Sequence, residues 1–498
     1  MQYISTRNKN CRFSAAEAIF RGIADDGGLF VPEYIPQVSD EEVKSLSFMT
    51  YIERAKYILS LYLTDFSAEQ IESCVNNAYG SGFDDNIPAP VSKQYGKISF
   101  LELWHGETCA FKDMALQLLP ELMRVSAKKV SADKTVLILV ATSGDTGKAA
   151  LEGFKDVDGV KIQVFYPVDG VSNMQKRQMS VQEGENVSVV AIKGNFDNAQ
   201  AGVKRLFADR DFNKKLFESG YVLSSANSIN WGRLLPQIIY YFSAYCDMVN
   251  SGTISFGEKI NVTVPTGNFG NILAAYYAEK MGLPINKLIC ASNKNNVLTE
   301  FINTGRYNKN REFYATHSPS MDILISSNVE RLLFMLHSGD DKKVSELMES
   351  LNKSGEYSLG EQELSTLNSF FSCGYCDDEE TEKTIRAEFR EYGYLIDTHT
   401  AVALNVAKSY IERENDTRAM LVVSTASPYK FANHVLKAIW GESVPSDDFE
   451  ITSKLSEVSG TKIPQPIVEL VNKKIRFTDV YESSDMQRAV EDFLEIAE

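Results

Sequence analysis

The segment HGETCAFKDMALQ, residues 105–117, sets one lysine, Lys112, among Cys109, Ala110, Phe111, Met114 and Ala115, at the start of a helical stretch. An ammonium in an apolar niche loses hydration, its pKa falls, and its amine becomes a usable nucleophile or base. Two glycine-bearing loops offer anion sites. In PTGNFGN (265–271), Gly267 and Gly270 flank Asn268 and Phe269, and Asn271 follows as the helical run ILAAYYAEKMG begins. Such a turn aims several backbone N–H groups at one point, as a phosphate requires. In ATSGDTGKAA (141–150), Ser143, Gly144, Thr146 and Gly147 open a helix that suits a carboxylate or a phosphate. It is no Walker loop: Gly144 and Gly147-Lys148 stand too close, and Ala149 replaces the hydroxyl residue. An ordinary capped turn accounts for it equally well. A third loop, STASPYKF (424–431), carries the hydroxyls of Ser424 and Thr425, while Ser427-Pro428 reads as a helix cap and first turn.

A niche lysine, a phosphate nest and a hydroxyl at a third strand end match the needs of pyridoxal 5'-phosphate. The lysine forms an imine with the aldehyde, the nest takes the phosphate, and the hydroxyl meets the pyridine nitrogen.

The three loops need a scaffold that ends in one place. Dense apolar runs at 135–140, 161–167, 186–192, 261–265, 287–292 and 419–425 each lead into a polar loop. Runs without alternation are strands buried on both faces, hence a parallel sheet covered by crossover helices, here 146–155, 197–208, 232–249, 271–281 and 429–440. That is α/β architecture, with ligands at the carboxyl ends of the strands. Residues 1–90 read as a helical, partly irregular leader, in which Ser39-Asp40-Glu41-Glu42 starts a helix. Residues 337–385 are polar, acidic and helix-prone, and read as a helical insertion without strands.

Composition narrows the partners. The chain has 498 residues, 51 Lys and Arg against 67 Asp and Glu, and a net charge of −16. Such an acidic chain is a poor wrapper of nucleic acid or anionic membrane. No apolar run reaches transmembrane length, and the first residues lack a signal-peptide core. Seven scattered cysteines (11, 74, 109, 246, 290, 373 and 376) fit free thiols in a reducing cytoplasm. The lone C-G-Y-C at 373–376 is weak ground for zinc, and no metal is expected. His105 and His399 are each read as a structural hydrogen-bonding group sooner than a proton shuttle.

Ten segments in order, among them YISTRN (3–8), FSAAEAIFRGIADDGGLFVPE (13–33), ELWHGETCAFKDMALQ (102–117), SSANSINWGRLLPQIIYY (224–241), VPTGNFGNILAAYYAEKMGLPI (264–285), SPSMDILISSNVERLLF (318–334) and IDTHTAVAL (396–404), resemble the long, bacterial and fungal threonine synthases. The resemblance implies the tryptophan synthase β-like fold of fold-type-II pyridoxal-phosphate enzymes. It implies an N-terminal unit at 1–95, a large cofactor-binding unit at 96–130 and 235–498, and a small mobile unit at 131–234. It implies a substrate, O-phospho-L-homoserine, converted with water to L-threonine and phosphate by a monomer or homodimer. Lys112 then matches the imine lysine, Gly267, Asn268, Phe269, Gly270 and Asn271 the phosphate loop, and Thr425 the hydroxyl at the ring nitrogen. Ser143, Thr146, Asn227, Ser228, Asn230, Arg233, Ser320 and Asp322 become candidates for the substrate side. Two positions depart from the pattern, Glu107 and Thr398, each standing where proline is expected. The first is expected to alter the turn before Lys112, the second to loosen a loop near the substrate. The alternatives are a related serine or threonine dehydratase and a catalytically silent cofactor-binding paralogue.

Overall fold

The apolar runs form the buried strands of two separate sheets. The computed structural model describes all residues except 132, 143, 169, 170, 172, 442, 443, 497 and 498. In the larger, six-stranded sheet the order is Phe371–Tyr375, Ile285–Ser292, Ile260–Pro265, Met420–Ser424, Ile98–Glu102, Val91–Tyr95. All neighbours run parallel except the last pair, which closes the edge as an antiparallel hairpin. The smaller sheet has five parallel strands: Val480–Tyr481, Val187–Ile192, Val160–Pro167, Thr135–Ala141, Tyr221–Ser224.

Helix Trp231–Asn250 is apolar nearly all round and buried along most of its length, as a helix enclosed on every side must be. It packs against helices Tyr51–Tyr62 and Gly270–Lys280, so it joins the N-terminal unit to the helix that opens at the nest.

The N-terminal unit is helical as its sequence indicates. Ser14, Ser39, Thr50 and Ser67 each close a capping box with Glu17, Glu42, Glu53 and Gln70, satisfying amides that a helix start leaves free. It also holds a three-stranded antiparallel sheet of Asn8–Phe13, Tyr3–Ser5 and Phe30–Pro32.

Two expectations are corrected. The 337–385 segment is not wholly helical: Glu356–Ser358 pairs with Arg306–Asn308, and Phe371–Tyr375 forms an edge of the large sheet. This edge strand has one ladder partner and is five residues long, with Ser372 and Gly374 on the face against helix Thr398–Glu414, so the FSCGY run lacks the long apolar signature of a central strand. The chain's last stretch also leaves the large unit. Val480–Tyr481 pairs with Val187–Ile192, and helix Met486–Leu494 packs on the same sheet. Among the described residues no helix is long and apolar enough to cross a membrane.

Candidate active site

Lys112 opens the helix Lys112–Leu116. The turn before it is pinned from within: the buried Asp113 carboxylate accepts the Thr108 N–H at 2.8 Å and the Thr108 hydroxyl at 2.6 Å. Burial pushes the Asp113 carboxyl up to about 6 even against those donors. The same turn is tied to the end of strand Met420–Ser424. Phe111 N–H donates to the Thr425 carbonyl at 2.8 Å, and Ser427 N–H donates to the Cys109 carbonyl at 3.0 Å. Cys109 takes a left-handed conformation, φ 56°, a strained choice for a residue with a Cβ. The lysine and the Thr425 loop are therefore one mechanical unit.

The Lys112 ammonium lies 3.4 Å from Ser320 Oγ and 3.7 Å from Asp145 Oδ2. Burial lowers its pKa, and the Lys430 and Arg233 cations lower it further against the pull of Asp145. Lys430 Nζ lies 3.0 Å from Asp145 Oδ1 and donates to the Thr108 carbonyl at 2.9 Å. Burial alone would raise the Asp145 pKa; Lys430 and Lys112 override it and hold the carboxylate well below its usual range.

The loop after Ile260–Pro265 has the geometry of an anion nest. Phe269 is left-handed, φ 61° and ψ 1°, and helix Gly270–Lys280 starts there with no side-chain cap. Among the described residues no protein group accepts the N–H groups of residues 267–271. The first two carbonyls are engaged from behind instead. Ser326 Oγ donates to the Gly267 carbonyl at 2.7 Å, and Asn328 Nδ2 to the Asn268 carbonyl at 3.0 Å. The Asn271 side chain accepts from the Tyr240 hydroxyl at 2.8 Å and from Tyr241, while its buried Nδ2 has no partner. Gly267 must be glycine on space alone, since a Cβ there would stand 2.5 Å from the Ser320 carbonyl. Of the two hydroxyls at the third strand end, Ser424 accepts from Trp104 Nε1 and Thr400 Oγ1, both at 3.0 Å. The buried Thr425 hydroxyl makes no hydrogen bond among the described residues.

The substrate candidates divide. Arg233 is 4% exposed, donates through Nη1 to the Ala226 carbonyl at 2.7 Å, and leaves a buried Nε unpartnered. Its burial lowers its pKa to about 10. Thr146, Asn227 and Ser228 are half-buried, and their side chains make no hydrogen bond among the described residues. Ser143 lies outside the described residues.

Two candidates are withdrawn. Asn230 caps helix Trp231–Asn250 at 2.8 Å through its oxygen and gives its Nδ2 hydrogens to Ile19 at 2.9 Å and Ser225 at 2.8 Å. Asp322 is taken up by Thr316 N–H and Oγ1, Asn293 and Asn295 at 2.7–3.0 Å. Asn230 is fully buried and Asp322 is held by four donors of its own chain, so both side chains serve the fold.

His399 receives the Ser320 N–H on Nε2 at 3.2 Å and faces Asp397 through Nδ1 at 2.8 Å. That pattern assigns the proton to Nδ1. The ring therefore holds the Ser320 backbone in place. His105 is held between Glu102 at 2.8 Å and Asp84 at 3.1 Å, a structural bridge. Glu107 sits on the outer side of the turn, its carboxyl raised by burial and by Glu152. Thr398 does not loosen its loop. It is the first residue of helix Thr398–Glu414, which Asp397 caps at the amides of His399 and Thr400, and that first position accepts proline or threonine alike.

Asp145 and Lys430 were missed by sequence reasoning. Asp145 lies within the GDTG loop, but its neighbours there do not reveal that it faces two lysines. Lys430 follows Pro428 in a short 3₁₀ turn, Pro428–Phe431, whose inward face nothing in the local pattern marks. Cys373 Sγ donates to Asn303 Oδ1 at 3.2 Å, and Cys376 Sγ contacts the Thr381 hydroxyl at 3.5 Å.

An open parallel sheet, a lysine of depressed basicity and unclaimed amides at a neighbouring strand end define an enzyme class built around pyridoxal phosphate. The buried amides without acceptors, the unpartnered Asn271 Nδ2 and the free Thr425 hydroxyl fit that cofactor's phosphate and ring. A family model described as pyridoxal-phosphate dependent enzyme matches residues 88–425; threonine synthase N-terminal and C-terminal models match residues 2–79 and 400–493. Threonine synthase of Pseudomonas aeruginosa is 40% identical over 445 residues, covering 89% of this chain and 91% of that protein. The crystal structure of PLP-bound threonine synthase from Brucella melitensis superposes with a TM-score of 0.88 at 36% identity, covering 99% of this chain and 98% of the other. Threonine synthase-like 1 of Macaca fascicularis is 43% identical over 456 residues, 88% of this chain. The chain spans only 57–60% of the length of the threonine synthase-like 1 proteins it matches. The chain belongs to the threonine synthase family of fold-type-II enzymes, and its cofactor is pyridoxal 5'-phosphate.

Proposed function

We propose that this chain converts O-phospho-L-homoserine and water to L-threonine and phosphate, with Lys112 as the lysine that holds the cofactor. The observation that carries this reading is Arg233, a buried guanidinium close enough to act electrostatically on Lys112 and with an unpartnered Nε. A buried cation without a carboxylate is costly unless an anion arrives. The nest supplies the donors for the cofactor phosphate, so Arg233 serves a second anion. A dehydratase acting on serine or threonine would fill that place with its one carboxylate, whereas a phosphorylated amino acid brings a further anionic group for the half-buried, unbonded side chains of Thr146, Asn227 and Ser228.

When bound, pyridoxal phosphate withdraws electrons from the substrate's Cα and so acidifies the hydrogens at Cα and Cβ. The residues of the chain do the rest. The amides of 267–271 hold the cofactor phosphate, and the neutral Thr425 hydroxyl meets the ring nitrogen without forcing a proton onto it. Arg233, Thr146, Asn227, Ser228 and Ser320 orient the substrate's carboxylate and phosphate. Lys112, displaced by the substrate's amine, takes the proton from Cα; its lowered pKa keeps the amine free to do so. A hydrogen is then taken from Cβ as phosphate leaves Cγ with the C–O bonding pair, Lys112 returns one proton to Cγ to make it a methyl group, and water adds its hydroxyl at Cβ while a proton returns to Cα.

Early water would divert the reaction, so we also propose that residues 131–234 close against the rest when substrate binds. Identical scattering profiles with and without a phosphonate analogue would count against that closure. Seven free cysteines, six of them buried, support a cytosolic setting.

The test is phosphate release from O-phospho-L-homoserine set against keto-acid release from threonine and serine. Phosphate and threonine in equal amounts are expected. Keto acid alone would mean a dehydratase, and cofactor absorbance without any turnover a silent paralogue.

A further inference from the structure

Asp145 belongs to the small unit, where it begins helix Asp145–Phe154, and both ammoniums it faces belong to the large one. Its two oxygens are treated unequally. Oδ1 is 3.0 Å from Lys430 and accepts Gln175 Nε2 at 3.1 Å; Oδ2 has only longer contacts, 3.7 Å to Lys112 and 3.4 Å to Ser320 Oγ. Lys430 is itself fixed, since its side chain is 2% exposed and it donates to the Thr108 carbonyl at the base of the Lys112 turn.

We propose that Lys430 is a positioning residue that anchors Asp145 through one oxygen and so keeps this carboxylate from forming a close ion pair with the amine of Lys112. This rests on the reading of Lys112 as the imine lysine. The groups facing Lys112 are few: Asp145 from the small unit, Lys430 from the 3₁₀ turn, Arg233 from helix Trp231–Asn250, and the uncharged Ser320 and Phe111. Asp113, next in sequence, turns away to Thr108. With Asp145 held off, the cations and burial outweigh it, and the amine stays neutral enough to attack an aldehyde.

The two partners must then act on Lys112 in opposite directions. Removing Lys430 takes away a neighbouring positive charge and also frees Asp145 to close on Lys112. Removing the Asp145 charge leaves the amine facing cations alone. The test is the pH dependence of imine formation, followed by absorbance when pyridoxal phosphate is added to the cofactor-free full-length chain. Lys430→Met should move the midpoint up by about one pH unit, and Asp145→Asn should move it down by a similar amount. Lys430→Arg, which keeps the charge, should leave it in place. A midpoint that is unmoved or lower in Lys430→Met, or unmoved or higher in Asp145→Asn, overturns the proposal. If Lys430→Met does not fold, the Asp145→Asn result decides alone. Borohydride trapping separates the two levels of the argument. An adduct on another residue overturns the Lys112 assignment and this inference together, whereas an adduct on Lys112 with unshifted midpoints overturns this inference only.

Discussion

The loops at 142–147 and 265–271 are built alike, each a glycine-bearing turn from a parallel strand into a helix, yet they have opposite electrostatic characters. In the first, the Thr142 hydroxyl accepts the N–H groups of Gly144 and Gly147, both at 2.9 Å. Its helix then begins with a carboxylate, Asp145, directed at two lysines. In the second, no group among the described residues takes the amides, and the helix begins with Gly270 and a side-chain donor left over on Asn271. A helix start attracts an anion in both cases. The first loop contains its own anion, and the second is left to receive one. Lys112 is the group that answers to both, through Asp145 directly and through Ser320, whose carbonyl packs over Gly267.

Each side of this contrast can be broken separately. The largest effect is expected from Lys112→Ala, which should abolish the cofactor's imine absorbance and lower turnover by about a thousandfold or more; undiminished turnover would remove the residue from the chemistry. Next comes Arg233→Gln. Loss of one charge-assisted hydrogen bond should raise KM for O-phospho-L-homoserine by roughly 10- to 150-fold, with cofactor affinity unchanged in a direct binding titration. The reverse pattern would place Arg233 on the cofactor instead. Gly267→Ala should do what Arg233→Gln does not. The added Cβ forces the nest away from Ser320 at a strain of about 1–3 kcal/mol, so pyridoxal phosphate affinity should fall roughly 5- to 150-fold. Thr142→Val sharpens the other side. It keeps the shape but removes the acceptor of two amides, costing about 1–3 kcal/mol of stability. The melting temperature should drop by a few degrees while cofactor affinity holds; weaker cofactor binding would show that the two loops are not independent.

Much of the scaffold was legible because strands buried on both faces read as unbroken apolar runs. Six of the strands of the two main sheets announced themselves that way. Five others did not: Val91–Tyr95, Ile98–Glu102, Tyr221–Ser224, Phe371–Tyr375 and Val480–Tyr481. Two of these are only four and two residues long, and Phe371–Tyr375 lies at an edge beside an acidic stretch. At the site, the chemistry-bearing types stood out by spacing, as with Lys112 before its helix or glycines at 267 and 270. Asn230 and Asp322 were misread for a physical reason. A polar side chain near a site looks the same in sequence whether it faces the ligand or caps the backbone, and both of these turn to the backbone and to neighbouring side chains.

The sequence by itself determined the central strands, the main crossover helices and where each site loop sits on its strand, because burial pattern, glycine placement and capping residues act over a few neighbouring positions. It could not determine which side chains meet. That Asp145 of the small sheet lies between Lys112 and Lys430, or that Arg233 is buried without a carboxylate, depends on how two sheets and a long central helix pack. Those charges feel one another across a few ångströms of dry interior, over separations of tens to hundreds of residues along the chain.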